Sequence, residues 1–451
     1  MKIIIIGAGT VGTAICQQLV GEGHDITVVD RSADLLEEIE SSLDVATALG
    51  NGAEISVLRK AGAKDTDLLI AVTSSDEINI LCCTAAKKLG TKNTVARVRN
   101  PEYSELMGLM KDEMNLSMTI NPEYAAAREI YRILRFPAAT KIESFYHGKV
   151  ELVEYTVADG SNMIGTTLYE LNSRLNIKFL VCAVLRDGEA HIPSGNFKIE
   201  SGDVIYITAP EDAITKFFRA VGAYENPVRD VIVAGGGIVS YYLESLLKNT
   251  KIRSVIIDSD KERCRSLAET YQATVIHGNP TKQSLLLEEG IERADAFAAL
   301  TDSDEENAIV SMYAKSVSGG KIITMINTVS YAELFKNVGL DRIISPKSAT
   351  ASYILRYVRS IQNAGDSKME TLHKLMDGKV EALEFLVNDD IEGITSVPLR
   401  SLKLKKNVLV ACIVRSGEVI IPSGDDSINC GDTVIIVALG GQIKDVKEML
   451  K

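Results

Sequence analysis

Short apolar runs separated by amphipathic segments set the rhythm of the chain. Residues 2–6 ("KIIII"), 26–30, 45–48, 68–72, 94–98 and 117–120 are apolar with little alternation, as in strands covered on both faces. Between them, apolar positions recur at helical spacing over 11–22, 33–42 and 76–89, and once more over 123–135. Strand and helix taking turns predict right-handed βαβ units and a parallel sheet flanked by helices. Beyond Phe136-Pro137, which reads as a break, the period changes. Residues 151–157, 179–186, 189–192 and 203–208 read as strands, with "RDGE" (186–189) as a hairpin turn and short helices over 166–175 and 211–221.

The same order then recurs. A shift of 228 positions lays Gly7, Gly9 and Asp30 on Gly235, Gly237 and Asp258, and Gly50-Asn51 on Gly278-Asn279. It also lays "TSSDEINI" (73–80) on "TDSDEENA" (301–308). Further on, "IPSG" (192–195, 421–424) and "GD" (202–203, 431–432) repeat at an offset of 229. A repeat this long is a duplicated domain pair rather than a solenoid unit. The expected fold class is α/β: a duplicated Rossmann-like parallel sheet, each copy followed by a small α+β lobe. The expected boundaries are 1–121 for the first large lobe, 122–140 for a connecting helix and 141–224 for the first small lobe. The second copy runs over 228–345, 346–365 and 366–451, with its small-lobe strands from about 379.

Composition narrows the partners. A net charge of −12 opposes a polyanion such as nucleic acid, and the lysines at 403, 405 and 406 read as a solvated face. Seven cysteines, with no C-x-x-C spacing, suit a reducing compartment. No apolar run approaches the roughly 20 residues of a membrane span, and Met1 leads straight into a strand rather than a cleavable leader. The expectation is a soluble protein that serves any membrane from outside it.

The candidate chemistry sits where the first strand meets the first helix. In "GAGTVG", Gly7 permits the tight turn, Gly9 lets a pyrophosphate approach the backbone, and Gly12 lets helix and strand pack closely. Ala8, Thr10 and Val11 complete the turn and the helix N-terminus, whose free N–H groups favour phosphate. Asp30 ends the second strand, with Arg31 beside it; its carboxylate can accept from ribose hydroxyls and repels a 2′-phosphate. NAD(H) or ATP/ADP is therefore expected over NADP. Asn51 and Gly52 end the third strand near the adenosine side, and Thr73 and Ser74 end the fourth. Asp76 is expected to cap the following helix, with Glu77 in its first turn. On the fifth strand, Arg97 can meet phosphates.

The second copy keeps Gly235, Gly237, Asp258, Gly278, Asn279 and Thr301, but Ser240 stands for Gly12, Met325 for Arg97 and Asn327 for Arg99. Its ligand is left open between a less charged nucleotide and none. None of the five histidines falls into a triad or metal spacing, and G-x-S-x-G, H-E-x-x-H and P-loop motifs are lacking. Catalytic and metal sites are accordingly not expected. A soluble NAD-dependent oxidoreductase with duplicated domains is the alternative from another class, and a scaffold with vestigial pockets a third.

"MKIIIIGAGTVG", "DITVVD", "AVTSSDEIN" and "ARVRNPEY", in a duplicated frame, resemble the tandem regulator-of-potassium-conductance (RCK, or KTN) family over essentially the whole chain. The resemblance implies a non-enzymatic subunit on the cytoplasmic face of the cell membrane, docked on a potassium transporter subunit of the TrkH/TrkG kind. It further implies a homo-oligomeric ring of modules whose shape follows the bound NAD(H), ATP or ADP. The family's binding positions fall on Gly7 to Val11, Asp30, Thr73, Ser74 and Arg97.

Overall fold

The computed structural model describes residues 1–103, 116–136, 141–146, 149–223, 228–271, 273–328, 331, 334–335, 338–340, 342–362, 368–440, 443 and 445–451. The polar stretch after 362 and Pro137 fall largely or wholly outside these. Two compact units form: Met1–Arg135 with Val228–Leu355, and Phe136–Pro227 with Arg356–Lys451. The large lobes share the first unit and the small lobes the second.

In the first unit, β1 (Lys2–Ile6), β2 (Asp25–Asp30), β3 (Ala46–Leu49), β4 (Leu68–Ala71), β5 (Asn93–Arg97) and β6 (Met118–Ile120) form one sheet. Its order is β3-β2-β1-β4-β5-β6, with every pairing parallel. The central strands are buried along their length, Ile3 to Ile6 and Leu68 to Ala71, which is why they lack alternation. A helix at Ile55–Lys60, too short to show a period, joins those foreseen. The order reverses between β1 and β4, so the carboxyl ends of these strands open a crevice at the switch point.

The second copy repeats this with β12 (Asp230–Ala234), β13 (Arg253–Asp258), β14 (Thr274–His277), β15 (Ala296–Ala299), β16 (Lys321–Met325) and β17 (Ile343–Ile344). Their order, β14-β13-β12-β15-β16-β17, is the same, again all parallel.

The helix leaving the first large lobe, Pro122–Arg135, does not complete the core of its own copy. Ala126, Ala127, Ile130 and Leu134 are buried in one cluster with Val239, Tyr242, Leu243 and Leu247 of the second copy. Tyr242 fastens the junction: its hydroxyl donates to the Arg99 carbonyl (2.8 Å) and accepts from Asn121 Nδ2 (2.8 Å). Tyr124 lies edge-on to its ring at 5.3 Å. The two large lobes are thus tied by a crossed helix.

In the second unit, β7 (Lys141–Phe145), β8 (Val150–Thr156), β9 (Leu180–Arg186), β10 (Glu189–His191) and β11 (Val204–Thr208) form an antiparallel sheet ordered β10-β9-β11-β8-β7. Its counterpart, of β18 (Lys368–Leu375), β19 (Val380–Leu386), β20 (Val408–Arg415), β21 (Glu418–Ile420) and β22 (Thr433–Leu439), runs β18-β19-β22-β20-β21. The edge strands β7 and β18 precede the strand starts read from the sequence because their polar side chains mask the pattern. The helix Leu168–Leu175 carries a full capping box between Thr167 and Glu170. At the matching place the second copy has only a short 3-10 turn, Leu399–Ser401, entered through Pro398.

The small sheets share a core in which Phe145, Leu152, Cys182 and Tyr206 meet Leu375, Val380, Cys412 and Ile435. Polar contacts are buried there too: Glu143 Oε2 lies 2.5 Å from His373 Nδ1, and His373 Nε2 is 3.2 Å from the Ser144 carbonyl. Burial alone would raise the Glu143 carboxyl, but His373 and Lys141 outweigh it and hold it down to about 2. The "GD" motif also acquires a reason. Asp203 and Asp432 accept bidentate pairs from Arg186 (2.8 and 2.7 Å) and Arg415 (2.9 and 2.8 Å) across the hairpin.

Candidate functional site

Gly7 turns at φ 108°, which favours glycine, and a β-carbon on it would lie 3.1 Å from the Thr73 nitrogen. Gly12 is stricter: a β-carbon there would sit 1.9 Å from the Gly7 carbonyl oxygen. By contrast, one on Gly9 would meet nothing within 4 Å, so the space above the turn is open. The helix Thr10–Gly21 starts from Gly9 with no side-chain cap, leaving its first N–H groups facing that space.

Asp30 does two jobs. Its Oδ2 accepts from the Ala8 N–H (2.6 Å) and its Oδ1 from Ser32 (2.9 Å), so the carboxylate fixes the glycine turn while it also lines the crevice. Asn51 folds its own turn, its Oδ1 accepting from the Ala53 N–H at 3.1 Å. Thr73 is committed inside the protein: Asn79 Oδ1 accepts from both its N–H (2.8 Å) and its hydroxyl (2.7 Å). Asn79, buried and not singled out by sequence, also donates to the Arg97 carbonyl (2.9 Å), clamping the ends of β4 and β5 together. Asn307 repeats this clamp between Thr301 and Met325. The recurrence of "SDEIN" and "SDEEN" was its signal.

Ser75, not Asp76, caps the helix Asp76–Leu89, its hydroxyl accepting from the Ile78 N–H at 3.2 Å. Asp76 instead receives the N–H groups of Arg99 (2.7 Å) and Asn100 (2.8 Å) and the Arg99 guanidinium (3.4 Å). It has turned toward the β5 loop because those N–H groups leave the sheet unpaired. Glu77 is held down to about 2 by hydrogen bonds from Ser75 and Tyr103.

These elements enclose a cavity of about 480 Å³. Asp30, Arg31, Leu35, Asn51 and Gly52 line one end, and Gly9 to Val11, Thr73, Ser74, Arg97 and Arg99 the other. The size is that of a ligand pocket. Arg97 is enclosed; its Nη2 lies 3.5 Å from Glu123 Oε1, while Arg97 Nε and Glu123 Oε2 have no hydrogen-bond partner among the described residues. Burial draws both toward their neutral forms, lowering the arginine and raising the glutamate. An under-satisfied buried guanidinium beside an open glycine turn suits an anionic ligand. The residues present fit a nucleotide.

The second copy departs in three ways. Ser240 is buried and its Oγ donates to the Gly235 carbonyl (2.6 Å), so turn and helix are spaced to admit a β-carbon. Met325 and Asn327 supply no charge. The third change escaped the sequence reading: Arg263, at the position of Leu35, lies 3.7 Å from Asp258 and 3.5 Å from Asp302. Asp258 is thereby answered by a side chain where Asp30 faces a cavity.

A profile of the TrkA-N domain matches residues 3–119 and again 231–346, and one of the TrkA-C domain matches 152–222. The chain belongs to the TrkA family. It is 34% identical to the Trk system potassium uptake protein TrkA of Halomonas elongata, covering 100% of this chain and 99% of that protein. It is 33% identical to the Vibrio alginolyticus protein of that name, over 100% and 99%. Among solved structures, the GsuK channel bound to NAD superposes at a TM-score of 0.64 and 16% identity, covering 97% of this chain and 76% of that one. The GsuK RCK domain does so at 0.63 and 15%, covering 97% and 92%. These likenesses show the duplicated RCK fold. Among the described residues of this TrkA-family chain, no helix is long and apolar enough to cross a membrane.

Proposed function

We propose that the chain is a non-catalytic regulatory subunit of a potassium uptake system, with the first glycine turn as its nucleotide site. The observation that carries this is the open cradle of Gly7, Gly9 and Gly12 between Asp30 and the pair Arg97 and Arg99. An adenine nucleotide, ATP, ADP or NAD(H), has the chemistry for both ends: ribose hydroxyls for Asp30 and phosphates for the helix N-terminus and arginines. The NAD-bound and ADP-bound GsuK structures support the same choice, and the names of the TrkA relatives support the potassium-uptake role. The second turn, with Arg263 over Asp258, serves as the weaker or silent counterpart.

The partner in this reading is a membrane potassium transporter subunit, with the chain on its cytoplasmic face as a ring of paired large and small lobes. A nucleotide shifts such a ring only by differential affinity for its two shapes. Potassium flux through membranes carrying the transporter, with purified chain added, tests it. Flux is expected to respond to ATP, ADP or NADH with the wild-type chain and to lose that response with Asp30→Ala, while the variant still binds the membranes. An unchanged response would contradict the assignment.

A further inference from the structure

The two connecting helices begin alike, at Asn121-Pro122-Glu123 and Ser345-Pro346-Lys347. Proline suits a first helical position, where its missing N–H would have gone unpaired. The next residue carries opposite charge in the two copies. Glu123 turns to Arg97. Lys347, half-buried, lines the first cavity with Gly9, Thr10 and Val11, although it belongs to the second copy.

Arg97 and Arg99, at the same end, are each matched to a carboxylate, Glu123 and Asp76. Lys347 makes no ion pair or hydrogen bond among the described residues. It is therefore an uncompensated cation where the glycine turn and the helix N-terminus gather phosphates. An ammonium on a flexible stem offers three rotatable donors, which suits the mobile last group of a phosphate chain.

Resting on the nucleotide reading above, we propose that Lys347 is a specificity-determining residue. It supplies the terminal phosphate of a nucleoside triphosphate with a counter-charge from the other copy, so the first cavity prefers the triphosphate to the diphosphate. Because Lys347 opens the helix Pro346–Gln362, a triphosphate also ties that helix to the first large lobe, and a diphosphate leaves the tie unmade.

Calorimetric titration of ATP and ADP into the full chain tests this, with folding of each variant checked by thermal melting. Lys347→Gln is expected to weaken ATP about tenfold, the worth of one charge-assisted contact, and to leave ADP within about twofold. Lys347→Arg should retain the preference for ATP. Equal losses for both nucleotides, or no change with Lys347→Gln while both still bind, would overturn the role of Lys347 alone. A wild-type chain that bound neither would overturn the nucleotide reading and this inference with it.

Discussion

Gly12→Ala is expected to abolish nucleotide binding at the first cavity and to cost on the order of 1–3 kcal/mol of stability. The added carbon would lie 1.9 Å from the Gly7 carbonyl oxygen and 3.0 Å from its carbon, both backbone atoms that no rotamer change can move. Either the helix Thr10–Gly21 withdraws or the turn opens, and each displaces the N–H groups of Thr10 and Val11 from the cavity where the phosphates are proposed to bind. The second copy shows the relaxed arrangement, where Ser240 fits and bonds the Gly235 carbonyl. Binding titration with denaturant unfolding checks both halves; wild-type affinity in Gly12→Ala would contradict the cradle.

Asp203→Ala is expected to destabilise the small-lobe unit by about 3 kcal/mol, and Asp432→Ala by a similar amount, because each removes a buried carboxylate that accepts a bidentate arginine pair. Asp203 and Asp432 are each about 1% exposed and accept a backbone N–H besides the bidentate pair, from Glu200 (2.9 Å) and Asn429 (2.8 Å). Arg186 and Arg415 keep partial contact with water, which sets the figure at the low end for a broken buried pair. Denaturant titration followed by far-ultraviolet dichroism measures it. Losses below about 0.5 kcal/mol in both variants would show the repeated motif to be a solvated surface pair.

Much of this was legible in the sequence. Ile3 to Ile6 admit no solvent face, so a buried parallel strand followed; Gly7, Gly9 and Asp30 have few other reasons to stand at their spacing. Repeated "GD" was visible but not its cause, because the partner arginines lie 17 residues upstream on a neighbouring strand. Leu35 and Arg263 stand on helices that show only an amphipathic pattern, and nothing local says which position overhangs the crevice. Lys347 was hidden for a different reason. The offset between copies drops from 228 to 224 before the second connecting helix, so Glu123 and Lys347 do not align in the repeat. Only the folded arrangement, which sets the start of the helix Pro346–Gln362 at the first cavity, brings Lys347 to the first turn.

Photolabelling with an azido-adenine nucleotide locates the ligand most directly. Leu35, Asn51 and Gly52 line the Asp30 end of the first cavity, where the adenosine is proposed to lie, and tryptic cleavage after Arg31 and Arg59 releases all three in the fragment 32–59. Label is expected in that fragment and is expected to vanish when excess ATP competes. Label absent from 32–59 and recovered instead in the small lobes would contradict a nucleotide site at the first glycine turn.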